Sequence, residues 1–231
     1  PCRGRRRRGR WPPAADMLLT VADQQAIEAR VAALEKDLGI EVVTIVTARS
    51  DDYPEVVWRA FALGASLTAL AVAIADVVRP DWVTSALVFT SLVVVLAVGA
   101  ACALATIYVP AFARLFVRKS RAAVEVAQYA NDQFLERELF ATPGRTALLV
   151  LVSMLEHRVI VLPDKGLRAQ LTVAQWDSVV TRMTQHLATR ATGAAVLAGL
   201  DAVGELLAGK AVGLAQGNRF ADAPVVKDAG R

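Results

Sequence analysis

The densest acidic group in the chain is Asp132, Glu136 and Glu138. The first two stand four residues apart, so a helix would set both carboxylates on one face, where with Asp164 they could offer oxygen ligands to a hard cation. The simpler reading is a solvated charged face with Arg137 beside it. His157 and His186 lie far apart and lack the spacing of a zinc motif, so both read as surface residues. Ser153, His157 and Asp164 could be strung into a hydrolytic triad, but no Gly-x-Ser-x-Gly elbow surrounds the serine. Pro163-Asp164-Lys165-Gly166 has the composition of a turn. The two cysteines, Cys2 and Cys102, suggest neither a disulfide framework nor a metal site. With no Walker, dinucleotide or zinc pattern present, no side chain is assigned a catalytic, cofactor-binding or metal-ligating role.

Several elements must position these residues. Val21–Leu38 has Ile27, Val31, Leu34 and Leu38 at helical spacing, with Thr20 or Asp23 to cap its start and Gly39 to end it. Residues 40–47, rich in β-branched side chains and too short for another helix, form a strand. Ser50-Asp51-Asp52-Tyr53-Pro54 turns the chain, and Pro54 opens a helix. Residues 118–139 form a helix that presents Ala123, Ala127, Ala130 and Phe134, broken by Thr142-Pro143-Gly144-Arg145. The continuous apolar run 146–153 is a central strand covered on both faces, and 158–162 pairs with it as a hairpin. Thr172 with Gln175 is a capping-box pattern ahead of a helix facing Trp176, Val180, Met183 and Leu187. A last helix, 194–207, presents Val196, Leu200, Val203 and Leu207.

Between residues 60 and 113 the pattern changes. The chain is apolar almost throughout, interrupted at Val78-Arg79-Pro80-Asp81-Trp82. Stretches 60–78 and 83–109 each have about the 20 apolar residues needed to cross a bilayer. Trp82 at the turn, and Trp58 and Tyr108 at the other ends, suit the two interfaces. Arg59, Arg114, Arg118, Lys119 and Arg121 flank the pair, so the positive-inside bias puts both outer ends in the cytoplasm. Ala62, Ala65, Ala69 and Ala73 in the first span, and Ala97, Ala101 and Ala105 in the second, allow close helix approach. Asp76 lies within one turn of Arg79 and the interface, where it can reach water or pair locally.

The formal charge of +4 is concentrated at one end, because six arginines fall in the first sixteen residues beside Asp16. Beyond them the chain is close to neutral, which argues against a basic nucleic-acid-binding domain. The arginine-rich leader has no apolar period and reads as disordered. The sequence does not start with methionine, and Met17 directly precedes the first patterned segment, so the leader reads as a non-native addition. The expected organisation is a leader over 1–16, a first domain part over 17–59, a transmembrane hairpin over 60–113, a second domain part over 114–209 and a flexible tail over 210–231. Joined across the hairpin, the two parts make an α/β fold, a small mixed-sheet α/β/α sandwich.

The helix from Val21, the strand after Gly39, the runs Ala147-Leu148-Leu149-Val150-Leu151-Val152-Ser153 and Arg158-Val159-Ile160-Val161, and the Trp176 helix resemble the TPM domain family. The resemblance is to a bacterial branch in which a membrane hairpin interrupts the domain after its first strand. It implies a bacterial inner-membrane protein, multi-pass, with both soluble parts cytoplasmic. Family members have been linked to divalent-cation binding, to acid phosphatase activity in plants, and to assembly or modulation of membrane complexes. Where the family commonly has Asp-Asn-Gly before its central strand, this chain has Thr142-Pro143-Gly144, so a carboxylate is missing. The expected function is an interaction or membrane-complex assembly module, with the bilayer and other membrane proteins as partners, no nucleic acid and no cofactor. The alternative is a divalent-metal-dependent phosphatase, with calcium as the metal the resemblance suggests and ligands from the loops around 142–145 and Asp164.

Overall fold

The computed structural model describes residues 19–51, 53–78, 84–117, 119–189, 191–210, 212 and 222–227. The chain divides into two compact units, one formed by Pro1–Asp51 with Ala123–Arg231 and the other by Asp52–Ala122. The leader and the turn carrying Arg79, Pro80, Asp81 and Trp82 lie outside the described residues.

In the first unit, α1 (Val21–Leu38) starts on a capping box in which Thr20 and Asp23, the two candidate caps, act together. The Thr20 hydroxyl accepts from the Asp23 N–H at 3.1 Å, and the Asp23 carboxylate accepts from the Thr20 N–H at 3.1 Å. Gly39 ends the helix in the left-handed region, φ 64°. The chain turns directly into β1 (Glu41–Thr47). Beyond β1 this unit takes up the chain again within α5 (Lys119–Glu136), followed by two single 3₁₀ turns (Leu139–Ala141 and Pro143–Arg145), β2 (Ala147–Ser153) and β3 (Arg158–Pro163). The short α6 (Lys165–Arg168), then α7 (Val173–Ala188) and α8 (Thr192–Leu207), follow. A fourth strand, β4 (Val225–Lys227), falls within the stretch expected to be a flexible tail. That expectation is corrected here: Val225, Val226 and Lys227 are long enough to add a short rung to an existing sheet, though too short to show a period of their own.

The sheet order is β3-β2-β1-β4. Strands β1 and β2 run parallel, from Glu41 opposite Ala147 to Thr47 opposite Ser153. β2 and β3 form the expected antiparallel hairpin, and β4 lies parallel to the second half of β1. Alternate residues serve opposite faces. Val42, Val46, Leu148, Val150 and Val152 pack against α1, α7 and α8, whereas Val43, Ile45, Leu149 and Leu151 pack against Val126, Tyr129 and Ala130 of α5. Both faces are therefore covered, which is why β2 is buried at every position and apolar from Ala147 to Val152. In α5 the buried face is Ala122, Val126, Tyr129, Ala130 and Gln133; Ala123, Ala127 and Phe134 are only half-buried. The small residues suggested a face rotated from the true one, because the large Tyr129 and Val126 have the greater apolar area to hide. The α7–α8 contact is close: a Cβ at Gly199 would collide with the Met183 sulfur.

The second unit is a helical hairpin of α2 (Pro54–Val78) and α3 (Ser85–Tyr108), followed by the one-turn α4 (Pro110–Ala113). Both long helices are long and apolar enough to cross a membrane, with only 6% of the most apolar window of each buried. A core helix of a soluble protein would be mostly hidden. The helices meet through Gly64 and Gly99, where added Cβ atoms would lie 2.7 Å from the Cys102 sulfur and 2.9 Å from the Phe61 ring. Ala62, Ala69, Ala73, Ala97 and Ala101 instead point outward. Glycine wins over alanine at the crossing because backbones approach nearest where no Cβ intervenes.

Candidate functional site

Two polar places lie at opposite ends of the sheet. The first joins the loop 142–145 to the start of α6. Asp164 is buried, 4% exposed, and caps α6 by accepting the Lys165 N–H at 2.7 Å. Its two oxygens also accept from Arg145, with Nε at 2.7 Å and Nη2 at 2.8 Å, a two-pronged charge-assisted pair. Burial alone would raise the Asp164 carboxyl. The Arg145 hydrogen bonds, the Lys165 N–H and the charges of Arg145 and Arg168 outweigh it and hold the group below its ordinary value. Arg145 adopts φ 57° and Gly144 φ 74° to bring the guanidinium round. A Cβ at Gly166 would collide with the Gly144 carbonyl oxygen, so the two loops fit only with glycine there.

The residues here do not fit a divalent cation. A metal at Asp164 would share its oxygens with a guanidinium that already satisfies both, and no second carboxylate belongs to the 142–145 loop. Among the described residues, no three His, Cys, Asp or Glu side chains gather closely enough to hold a metal ion.

The second place is at the carboxyl ends of β1 and β2, the end of a parallel sheet where ligands characteristically bind. Ser153, fully buried, donates a short hydrogen bond to Glu156 and accepts one from the Ser50 hydroxyl at 3.0 Å. The other Glu156 oxygen accepts the Ser50 N–H at 3.0 Å. One carboxylate thus ties the loop after β1 to the turn after β2. Beside it Glu125, Gln128, Tyr129 and Asp132 of α5, at i, i+3, i+4 and i+7, join Ser50 in lining a polar cleft of about 310 Å³. The Tyr129 hydroxyl is buried without a hydrogen-bond partner among the described residues. The neighbouring Thr47 hydroxyl donates instead to the Arg49 carbonyl at 2.8 Å. Burial, with Glu136 nearby, pushes the Tyr129 phenol up. Lys227 of β4 lies 5.8 Å from the centre of the Tyr129 ring and donates to Gln133 at 2.9 Å; Gln133 in turn donates to Glu136 at 2.7 Å.

This geometry separates the residues that could be combined on paper. Ser153 ends β2 while Asp164 follows the far end of β3, about 20 Å away at a strand's rise per residue. The paper triad therefore does not form. Asp132 belongs to the Ser50 cleft, at the Ser153 end, so it does not join Asp164 either. Glu138 sits in the left-handed region, φ 52°, where α5 gives way to the 3₁₀ turn. His157 also has a left-handed φ of 50°, in the β2–β3 turn, and His186 is exposed on α7. Glu156, Ser50 and Glu125 carried no motif; the signal available was Ser153 and Glu156 three residues apart across a turn following a parallel strand.

Residues 107–206 match the family model of the TPM domain. No curated protein matches the sequence. Among solved structures, the fold is similar to the NMR structure of the BA42 protein from the psychrophilic bacterium Bizionia argentinensis sp. nov.. The TM-score is 0.52 at 11% identity, covering 90% of this chain and 94% of that one, a likeness of fold. The stretch that matches the TPM domain model is thus the one that carries β2, β3 and the helices on either side of them.

Proposed function

We propose that this is an integral membrane protein whose TPM domain is held at the cytoplasmic face by the α2–α3 hairpin and serves as an interaction or assembly module for membrane complexes. The observation that carries this reading is the sheet itself. β1 precedes the hairpin, β2 follows it, and the two pair along all seven residues. A pair of spans returns the chain to its starting side; a single span would tear the sheet apart. Nearly bare apolar helices support insertion, as do Trp58 and Tyr108, 71% and 61% exposed near the two ends of the pair that carry Arg59, Arg114 and Arg121. Those cations favour the cytoplasmic side. Tethering confines the domain to a thin layer beside its partners, which raises their effective concentration without any new contact.

The interaction reading is preferred to a metal-dependent phosphatase because Arg145 occupies the carboxylate that the phosphatase would use. Two measurements test the proposal. Protease treatment of inside-out bacterial vesicles should cleave both the 48–51 loop and the α8 end, whereas right-side-out vesicles should protect both; cleavage of only one from either side would sink the topology. A photo-crosslinker at Gln128, an exposed residue of the Ser50 cleft, should capture a discrete membrane-protein partner in cells. A thermal melt with millimolar calcium, magnesium or manganese addresses the alternative. A site filled to one hundred times its dissociation constant would add about 2.7 kcal/mol, and such a chelator-reversible shift would revive the phosphatase.

A further inference from the structure

The α2–α3 hairpin is tight in one half and open in the other. In the tight half, a Cβ added at Gly64 would lie 2.7 Å from the Cys102 sulfur, and one at Gly99 would lie 2.9 Å from the Phe61 ring. Toward the end where residues 79–84 join the helices, the pair encloses a groove of about 760 Å³. Its walls are Ala69, Val72, Ala73 and Asp76 of α2 and the stretch of α3 from Leu87 to Val95. At a rise of about 1.5 Å per residue, both walls are about 10–12 Å long.

The groove is apolar except at its mouth. Asp76 is the one charged side chain among the described residues that line it. It is exposed on the last turn of α2, and no hydrogen bond or ion pair reaches its carboxylate from the described residues. The Ser91 hydroxyl donates to the Leu87 carbonyl at 2.8 Å, so its proton stays on its own helix. An acidic side chain within a span calls for a cationic partner. We propose that this groove is a lipid site: one acyl chain lies between α2 and α3, and the primary ammonium of an ethanolamine headgroup donates to Asp76.

This site rests on the membrane insertion proposed above, and the dimensions of the groove select its occupant. One leaflet contributes about 15 Å of the roughly 30 Å hydrocarbon core, so the groove matches most of one lipid chain. A partner helix crossing the whole core would leave it after little more than a third of its length. A second copy, related by a two-fold axis along the membrane normal, would bring its own Asp76 to the same depth, like charge toward like. The ethanolamine ammonium carries three N–H donors on a compact charge, as a lysine does, and makes a charge-assisted hydrogen bond to a carboxylate. Choline keeps the charge but has no N–H to donate. Glycerol headgroups have no cation, and their phosphate is repelled by Asp76.

Native mass spectrometry of the full-length protein released from detergent reads lipid adducts directly. The probes are phosphatidylethanolamine, phosphatidylcholine and phosphatidylglycerol with identical acyl chains, offered together in equal amounts. The ethanolamine adduct should exceed the glycerol one about fivefold, the worth of one exposed ion pair, with choline between them. Asp76→Asn should bring the three adducts to parity, and Asp76→Glu should keep the preference. Ala73→Phe, which fills the groove from an exposed position, should weaken all three adducts. Equal adducts in the unmodified protein, or a preference unchanged in Asp76→Asn, would overturn the site and leave the carboxylate to local pairing. So would a co-purifying protein or second copy that Ala73→Phe removes while the lipid adducts stay. Carbonate extraction of the same membranes separates the two readings: protein that washes off defeats the insertion itself, whereas retained protein without the preference defeats only the lipid site.

Discussion

Replacing Leu67 and Leu70 together with arginine separates a membrane hairpin from a soluble one more sharply than any deletion. Both leucines lie near the middle of α2 and are 58% and 57% exposed, so neither substitution disturbs the packing of α2 on α3. In water, such surface changes would alter stability by less than about 0.5 kcal/mol. In a bilayer the arithmetic is different. Leu, Ile, Val and Phe each favour insertion by about 0.3–0.6 kcal/mol, and a central arginine opposes it by about 2.5–3.5 kcal/mol. The eight such apolar residues between Ala60 and Val78 supply about 2–5 kcal/mol in total, whereas the two exchanges remove about 6–8 kcal/mol. Insertion of α2 should fail. Helix α3, with eleven such residues and a mean hydropathy of 2.6 against 2.0 for α2, should still insert. β1 is then stranded on the opposite side from β2, and the sheet cannot close. The assay is limited trypsin digestion of carbonate-washed membranes: the native protein should yield a resistant domain, and the double variant should be degraded on both sides of α3. A variant that keeps the resistant domain and its melting temperature would refute both the insertion and the topological argument built on it.

Arg145→Met should lower the melting temperature at pH 7 by leaving the buried Asp164 carboxylate without its two-pronged partner. Because Asp164 is held below its ordinary value, its contribution in the native protein is present above pH 4 and lost as pH falls through the lowered value. The variant's deficit should therefore shrink in melts at pH 4 and pH 3, and a pH-independent deficit would contradict this account of the pair. At the α7–α8 contact, Met183→Ala should cost about 2–4 kcal/mol by opening a cavity, and Gly199→Ala about 1–3 kcal/mol by overpacking. Combined, the second change should recover roughly 1 kcal/mol, since its methyl group enters the vacated space and alanine favours the helix; additive losses in denaturant titrations would show that the two residues do not share that space.

The apolar periods of α1, α7 and α8, a cap at the start of α1, the capping box at Thr172, and the β2–β3 hairpin were all legible in the sequence because each rests on local chemistry: a hydroxyl three residues from its acceptor, or a face that repeats every turn. What escaped depends on distant parts of the chain. β4 exists as a strand because β1 offers a free edge, a fact that Val225, Val226 and Lys227 do not encode themselves. The buried face of α5 was misjudged by a rotation for a related reason: alanines at helical spacing suggested close packing, but the sheet beneath has room for Val126 and Tyr129. At the candidate sites, the nearness of the 142–145 loop to Asp164 was visible through the strands that flank them. Its chemistry was not. Arg145 was seen as part of a turn, and only its left-handed backbone directs the guanidinium onto the carboxylate. The Ser50–Ser153–Glu156 linkage joins residues 103 positions apart, beyond the reach of any spacing rule.

The parallel pairing of β1 with β2 also imposes an order on biosynthesis. When Thr47 leaves the ribosome, the strand it must pair with is still about 100 residues away, which at about 5–20 residues per second is about 5–20 s of waiting. For that interval Val42, Val43, Ile45 and Val46 form an uncovered apolar strand with nothing but α1 beside it, the kind of edge that invites aggregation. The hairpin emerges during this same interval, and its insertion would fix the waiting strand at a membrane surface, away from other nascent chains. The interruption would thus act as a chaperone written into the gene, delaying closure of the sheet while keeping its first strand apart from unsuitable partners.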